Sequence, residues 1–255
     1  MRLYAMVCGH IDVPMDVLVG GEPGRITIPV PCYMIDHPKG LVIFDSGLRH
    51  GLINPGDAEH AIYRREIDAA LLIGPGEDLA GRLAAIDRDV GEVRYLVNSH
   101  LHFDHCGGNE QSPNAEVIVQ RREWEAGRIP EQQKANGYNP AHYDLGHKVT
   151  QVDGAHDLFG DGSVICVPSY GHTPGHQSLQ VRLSGGDVVL TADACYFRSV
   201  LESLKLPRYV HDREAARAAL LRLREMEAAG KRLFFGHDAE FWKEHSGAPI
   251  EIGNA

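Results

Sequence analysis

Four residues whose side chains can bind metal ions lie within six positions, directly after an apolar run. They are His100, His102, Asp104 and His105, in the stretch N-S-H-L-H-F-D-H-C-G-G that follows residues 93–97. Alternate residues of a strand share a face, so the H-x-H pair is expected to point one way, while the D-H pair turns towards a neighbouring position. Imidazole nitrogens and carboxylates bind Zn²⁺ and other divalent transition ions. The spacing therefore favours two adjacent ions over one.

Three further candidate ligands each follow an apolar run. His172 lies in S-Y-G-H-T-P-G-H after residues 164–167, Asp193 ends the run 188–192, and His237 follows L-F-F-G. Sheets of α/β proteins usually carry their chemistry where strands end. We therefore expect these three residues to join the first four, with Tyr196 three positions after Asp193.

The order of these motifs resembles that of a known family. H-L-H-F-D-H, G-H-T-P-G-H, A-D-A-C-Y and F-G-H-D are similar to the metallo-β-lactamase superfamily, and within it to the N-acyl-homoserine lactone lactonases that degrade bacterial quorum-sensing signals. The resemblance runs from residue 33 to residue 237. It implies an α/β (α+β) fold, a four-layer αββα sandwich with two sheets between helices. Because no repeat, low-complexity tract or linker interrupts residues 1–255, a single domain is expected.

The resemblance also implies a role for each candidate residue. In the family three histidines hold one ion, two histidines and an aspartate hold the second, and another aspartate bridges them. At matching positions these are, in that order, His100, His102 and His172, then Asp104, His105 and His237, and Asp193. The expected cofactor is two Zn²⁺, with other divalent transition metals as alternatives. A hydroxide between the ions would attack the lactone carbonyl, Tyr196 would present its phenol to that carbonyl, and Asp104 would shuttle a proton to the leaving alkoxide.

The expected activity is hydrolysis of the lactone ring of N-acyl-homoserine lactones, which amounts to quorum quenching. Three alternative hypotheses of function stay open. The first is a thioesterase of the glyoxalase II type or another lactone or ester hydrolase of the superfamily. Glyoxalase II-type thioesterases share H-x-H-x-D-H but usually bind an anionic thiol carrier with basic residues, and no C-terminal cluster of that kind is recognisable. Zinc β-lactamases commonly carry a cysteine where Asp193 stands. A metal-stabilised binding module is the third, and the complete ligand set with Tyr196 argues against it.

Composition narrows the partners and the compartment. The chain has 25 Lys and Arg against 35 Asp and Glu, a net charge of −10, which opposes binding to nucleic acid. Its five cysteines form no C-x-x-C pair, which predicts thiols in a reducing cytoplasm, and Cys106 and Cys195 are interpreted as buried thiols beside the ligands. Residues 1–7 lack the apolar core of a signal peptide and no stretch of about 18 apolar residues occurs, so we expect a soluble protein without membrane contact. No pattern predicts a particular oligomeric state.

Apolar runs and turn residues predict the elements that position these ligands. Strands are expected at residues 3–7, 32–35, 41–44, 93–97 and 116–119, and a second sheet at 149–152, 164–167, 179–183 and 188–192. Outer helices are expected at 57–73 and around 79–86, a short one at 121–126, and the clearest one from the N-cap Asp212 to residue 229.

Two segments are expected to lie outside these elements. Residues 11–30 are interpreted as an apolar, Gly- and Pro-rich loop that covers the core or lines a substrate pocket. We expect Met15, Val17 and Leu18, with the helix at 57–73, to hold the acyl chain. The polar stretch 130–147 is interpreted as surface decoration, with a lid as the alternative.

Overall fold

The structure, a computed structural model, describes residues 1–243 and 249–252 of the chain. Within that part, the strands are β1 (Arg2–Pro14), β2 (Arg25–His37), β3 (Gly40–Phe44), β4 (Ala70–Leu72), β5 (Val93–Val97), β6 (Glu116–Gln120), β7 (Val149–Val152), β8 (His156–Asp157), β9 (Val164–Pro168), β10 (Gln177–Leu183), β11 (Gly186–Leu190), β12 (Arg232–Phe234) and β13 (Ile250–Glu251). The helices are α1 (Met15–Leu18), α2 (Ala58–Ile67), α3 (Leu79–Ala84), α4 (Phe103–Cys106), α5 (Arg121–Ala126), α6 (Pro130–Asn136), α7 (Arg198–Ser203), α8 (Arg213–Ala228) and α9 (Ala239–Trp242). Short 3₁₀ helices lie at His50–Ile53, Val90–Glu92, Gly107–Gln111, Pro140–His142 and Ala192–Ala194.

The strands form two sheets. The first has the order β13-β1-β2-β3-β5-β6-β7, with β4 paired to β1, and the second has the order β12-β11-β10-β9-β8. β3, β5, β6 and β7 run parallel to one another, as do β11 and β12. The carboxyl ends of parallel neighbours reach the same edge of a sheet, so the loops that follow β3 and β5 lie side by side.

Side-chain alternation along β1 builds two layers of core. Leu3, Ala5 and Val7 pack between the two sheets, against residues of the second sheet such as Val164, Leu179 and Val188. Tyr4 and Met6, which point the opposite way, pack outside the first sheet against α3.

Helix α8 covers the outer face of the second sheet. Its Leu220 and Leu223 pack with Val189 of β11 and Leu233 of β12. The layers therefore run helix, sheet, sheet, helix, which confirms the αββα fold.

Helix α8 itself forms as its sequence predicts. The side chain of Asp212 accepts hydrogen bonds from the backbone N–H groups of Glu214 and Ala215, which caps the amino end. The buried positions recur on one face, and the chain leaves the helix before Gly230, whose φ of 89° suits glycine.

The prediction of a loop throughout residues 11–30 was wrong, because β1 and β2 extend through half of this region as a long hairpin. Pro29, one of the prolines of this region, and Pro31 just after it lie beside an irregularity in the pairing of the two strands. The register shifts around Gly9 (φ 102°), and Pro29 and Pro31 pair on either side of that shift. A missing N–H is tolerated where the ladder is already interrupted.

The helix predicted at 57–73 is shorter than expected. Helix α2 ends at Ile67, Asp68 adopts a left-handed conformation with φ 53°, and β4 then pairs with β1. In that pairing Leu71 lies opposite Ile11 and is buried. The exposed edge of β1 thus gains hydrogen-bond partners that a longer helix would not supply.

Strand β7 belongs to the first sheet, so its assignment to the second was wrong. It pairs parallel with β6, with Val149 opposite Val117. A parallel pair needs a long crossover, and residues 121–148 supply one that contains α5 and α6. Periodicity predicts a strand but not its partner. Among the described residues, no helix combines the length and apolar character needed to cross a bilayer.

Candidate metal centre

All the predicted ligands lie together at one edge of the sandwich, where strands end. They follow β5, β9, β11 and β12, and are His100, His102, Asp104, His105, His172, Asp193 and His237. They divide into two groups whose potential ligand atoms lie within 4.8 Å of one another inside each group.

Glycines after the first motif let its loop pack tightly. A Cβ atom on Gly108 would lie 2.3 Å from the carbonyl oxygen of Ser46, and one on Gly107 would lie 2.8 Å from that of Gly47. The backbone N–H of Ser46 also donates to the carbonyl of His105 at 2.7 Å. Because larger residues would separate these turns, the two glycines fix α4 against the turn after β3.

Nitrogen atoms of three histidines converge in the first group. His100 Nε2 lies 2.8 Å from His102 Nδ1, and His172 Nε2 lies 3.1 Å from the same atom. Asp193 Oδ2 lies 3.3 Å from His172 Nε2. One small cation can therefore contact all four side chains.

Hydrogen bonds on the far side of these rings decide which nitrogen carries the proton. His102 Nε2 donates to the carbonyl of Asn136 at 2.7 Å, because a carbonyl oxygen only accepts. Ser99 Oγ donates to Asp45 Oδ2 at 2.7 Å and so accepts from His100 Nδ1 at 2.9 Å. In the neutral rings, His100 Nε2 and His102 Nδ1 are then both unprotonated. Their lone pairs face each other, an arrangement that a cation stabilises.

The second group contains Asp104, His105 and His237. Asp104 Oδ2 lies 3.5 Å from His105 Nε2 and 3.7 Å from His237 Nε2. Asp193 reaches this group with its other oxygen, since Oδ1 lies 3.1 Å from His105 Nε2 and 3.0 Å from His237 Nε2. The carboxylate of Asp193 therefore lies between the two groups and faces both.

In the second group, hydrogen bonds on the far side of the rings fix which nitrogen carries the proton of the neutral imidazole. His237 Nδ1 donates to the carbonyl of Pro29, and His105 Nδ1 to Asp45 Oδ2, both at 2.8 Å. Both Nε2 atoms then point at Asp193 as acceptors in the neutral rings. His105 Nε2 and Asp193 Oδ1 are buried and have no hydrogen-bond partner among the residues that the structure describes. Burying two such atoms without a partner costs free energy unless a cation lies between them. The donor set fits zinc or another divalent transition ion.

The charges of the centre attract cations. Burial raises the pKa of Asp193, but His105 and His237 outweigh it and hold the pKa well below its ordinary value. Burial lowers the pKa of His105, yet the surrounding carboxylates, Asp193 foremost, hold it well above its usual range. Burial holds the pKa values of His100 and His172 well below that range, so both rings are neutral and available as ligands.

Two buried residues support the ligands without joining either group. Asp45 receives hydrogen bonds from Ser99 and His105. Its role was not predicted from the sequence. The feature that could have indicated it is D-S-G directly after β3, whose end lies beside that of β5. His176, the second histidine of G-H-T-P-G-H, shares a hydrogen bond with Ser169 Oγ and accepts from the backbone N–H of Asp193 at 3.1 Å. Burial lowers the pKa of His176 to about 3, so it is a neutral acceptor.

Tyr196 lies beside both groups. Its hydroxyl is 3.5 Å from His172 Nδ1, and its ring centroid is 5.4 Å from that of His237. Burial, followed by the negative charges of Asp193 and Asp104, raises the pKa of Tyr196 well above its ordinary value. The phenol is therefore a protonated hydrogen-bond donor at any working pH.

A narrow crevice opens beside Tyr196. Polar side chains of the centre, His172 and Asp193, line one end. Apolar side chains of the segment from α7 to α8 line the rest, among them Val200, Leu206, Pro207, Val210 and Leu220. Of the residues expected to hold an acyl chain, Leu18 belongs to the same buried apolar cluster as Tyr196, and Met15 and Val17 are partly buried against it, as is Leu206. The apolar wall of the crevice that α7 and α8 supply was not predicted from the sequence.

Comparisons with known proteins identify a family profile, relatives and a solved structure that this chain resembles. The profile of the metallo-beta-lactamase superfamily matches residues 26–237. The N-acyl homoserine lactonase AttM of Azorhizobium caulinodans is 32% identical over 259 residues, covering 98% of this chain and 97% of that protein. The N-acyl homoserine lactonase AiiA of Bacillus thuringiensis subsp. kurstaki is 30% identical over 223 residues, covering 86% and 85%. A solved N-acyl homoserine lactone hydrolase, with the product N-hexanoyl-L-homoserine bound at its catalytic metal centre, superposes with a TM-score of 0.84 at 27% identity over 95% of both chains.

Proposed function

The chain belongs to the metallo-β-lactamase superfamily, and from that premise we propose that it is a hydrolase that opens the lactone ring of N-acyl-homoserine lactones. The observation that carries the proposal is the buried seven-ligand centre beside Tyr196. Relatives that align with nearly the whole chain are N-acyl homoserine lactonases, which supports the same substrate class. The five cysteines are free buried thiols, which supports a reducing, cytoplasmic location.

The proposed centre holds two zinc ions. His100, His102 and His172 would hold one ion, Asp104, His105 and His237 the other, and Asp193 would contact both. When bound, the ions lower the pKa of water and polarise the carbonyl under attack. The donor atoms and their unpaired contacts support this assignment, and other divalent transition metals suit the same donors.

The side chains around the centre would orient the substrate and move one proton. Tyr196 would donate its O–H to the carbonyl oxygen as negative charge develops there. Water adds its oxygen to the carbonyl carbon, and the bond from that carbon to the ring oxygen breaks. The carboxylate of Asp104, which stays ionised because nearby histidines outweigh the effect of burial on its pKa, would accept the proton of the water and pass it to the leaving ring oxygen. The products are a carboxylate and an alcohol on one homoserine.

Hydrolysis of a thioester is the main competing activity. Lys205, Arg208, Arg213 and Arg217 line an open cleft beyond Leu206, and such a cleft suits an anionic thiol carrier. Two of these cations are already paired, since Lys205 contacts Glu22 and Arg208 lies 2.7 Å from Asp16. This pairing weakens the cleft as an anion site and favours the lactone.

A substrate panel tests the proposal. Zinc-loaded protein is given N-acyl-homoserine lactones of increasing chain length, simple lactones and glutathione thioesters. Opening a lactone at neutral pH releases one proton, which a pH indicator records, whereas thioester cleavage releases a thiol. His237→Ala should abolish lactone opening, and His156→Ala, on a strand outside the centre, is the matched control. Efficient thioester cleavage without opening of any lactone would replace the lactonase with the thioesterase.

A further inference from the structure

A buried carboxylate outside the ligand set binds four hydrogen-bond donors. Glu123 of α5 is 0% exposed. Its Oε1 accepts from the backbone N–H of Leu101 at 3.0 Å and from the hydroxyl of Tyr138 at 2.6 Å. Its Oε2 accepts from the hydroxyl of Thr173 at 2.8 Å and from the backbone N–H of Gly175 at 2.7 Å. Each oxygen thus receives one backbone and one side-chain donor.

Three of these four donors come from the two loops that carry the histidines of the first group, and Tyr138 is the fourth. Leu101 lies between His100 and His102, and Thr173 directly follows His172. The second group is held by other acceptors, since Asp45 and the carbonyl of Pro29 take the hydrogen bonds of its histidines. The contacts of Glu123 are therefore specific to the three-histidine group.

The packing around Glu123 leaves little freedom. A Cβ atom on Gly175 would lie 2.3 Å from the backbone nitrogen of Glu123, so the G-H-T-P-G-H loop touches the backbone of α5. Tyr138, through its own bond to Glu123, adds residues 130–147 to the same cluster, and Asn136 of that segment accepts from His102. This segment consequently forms a fixed wall of the centre in the structure.

We propose that Glu123 is a positioning residue that sets the separation of the H-L-H and G-H-T-P-G-H loops and thereby the zinc affinity of the three-histidine site. The inference takes His100, His102 and His172 as ligands and so rests on the proposed function. Backbone N–H groups cannot turn round to accept a hydrogen bond. Glutamine at this position would direct its NH₂ group at one of them, and the loop concerned would have to move.

The experiment measures zinc binding without substrate. Holoprotein variants are stripped and titrated with zinc against a competing chelator, and bound zinc is counted by elemental analysis. His172→Ala and His237→Ala show which equivalent belongs to which group. Glu123→Gln is compared with Glu125→Gln, an exposed glutamate on the same helix. Thr173→Val removes a single donor to Glu123 and serves as the milder variant should Glu123→Gln fail to fold.

Glu123→Gln is expected to weaken the equivalent that His172→Ala removes by 10- to 100-fold and to leave the other unchanged, the range seen when the support of a ligand is lost. Thr173→Val should weaken the same equivalent by a smaller factor, and Glu125→Gln should match the wild type. Equal weakening of both equivalents, or unchanged affinity in Glu123→Gln and Thr173→Val, would overturn the proposal. If the protein opened no lactone, the proposed function would fall, whereas the role of Glu123 would still be decided by zinc affinity.

Discussion

Replacing Tyr196 by phenylalanine removes one hydroxyl from the centre and leaves the ring in place. The hydroxyl lies 3.5 Å from His172 Nδ1, at the limit of a hydrogen bond, so its loss should change the free energy of unfolding by less than about 1 kcal/mol. The effect on catalysis should be larger, because the buried phenol is proposed to donate to an oxygen that gains charge only during the reaction. Loss of one such donor, with the metal centre still present, should lower kcat roughly 10- to 10³-fold. At about 1.36 kcal/mol per tenfold, this corresponds to about 1.4–4 kcal/mol of transition-state stabilisation.

The assay measures kcat and KM for one N-acyl-homoserine lactone with wild-type and Tyr196→Phe protein of matched zinc content. We expect kcat to fall while zinc content and KM stay close to wild type. Tyr143→Phe is the control, since the buried hydroxyl of Tyr143 donates to the carbonyl of Gly127 at 2.7 Å, away from the crevice. It should lower stability by about 1 kcal/mol without lowering kcat. If Tyr196→Phe kept the wild-type kcat, or lost zinc in proportion to activity, the assignment of Tyr196 as donor would be refuted.

Three other predictions follow from the ligands, the buried thiols and the crevice. Asp193→Ala should lower the occupancy of both zinc sites in elemental analysis, because the two oxygens of Asp193 face both groups. The control Asp187→Ala, on β11, should retain two zinc ions per chain. A single ion in fully active wild-type protein would contradict this prediction. Burial raises the pKa of the Cys166 thiol from 9.0 to about 12. Between these pH values the native state keeps a proton that the unfolded chain releases. The free energy of unfolding should therefore fall as the pH rises through this range. Urea titrations at pH 8 and pH 10 should show a smaller fall in Cys166→Ala, and an equal fall would argue against the buried thiol as a source. Each methylene of the acyl chain buried in the crevice should add about 0.8 kcal/mol, so kcat/KM should rise about fourfold with each added methylene until the crevice is full. Leu206→Trp should narrow the crevice and remove this preference; an unchanged chain-length series would place the acyl chain elsewhere.

The sequence predicted the candidate ligands because the information that points to them is local. His100, His102, Asp104 and His105 lie within six positions, so their types and spacing are visible without a fold. The apolar runs before each ligand likewise predicted that strands would end there. Helix α8 could be predicted because its cap at Asp212 and its apolar face lie within one segment. The αββα fold followed from the resemblance of motifs in order along the chain, and the two sheets of the structure confirm it.

Only the tertiary structure decided which segments pair and which side chains support the ligands. Leu71 lies in β4, which pairs with the edge of β1, so helix α2 ends before it. Strand β7 pairs with β6 in the first sheet. In both cases backbone hydrogen bonds to distant strands outweighed local preference. Glu123 has no motif of its own, and Asp45 is marked only by the D-S-G that follows β3. The partners of Asp45 lie 54 or more residues away, and two of the four donors to Glu123 lie 50 or more residues away. The position of Asp193 between the two groups also arises only when β9, β11 and β12 end at the same edge as β5. A single chain shows residue types and local spacing, whereas the distances that make a metal centre depend on contacts between segments far apart in sequence.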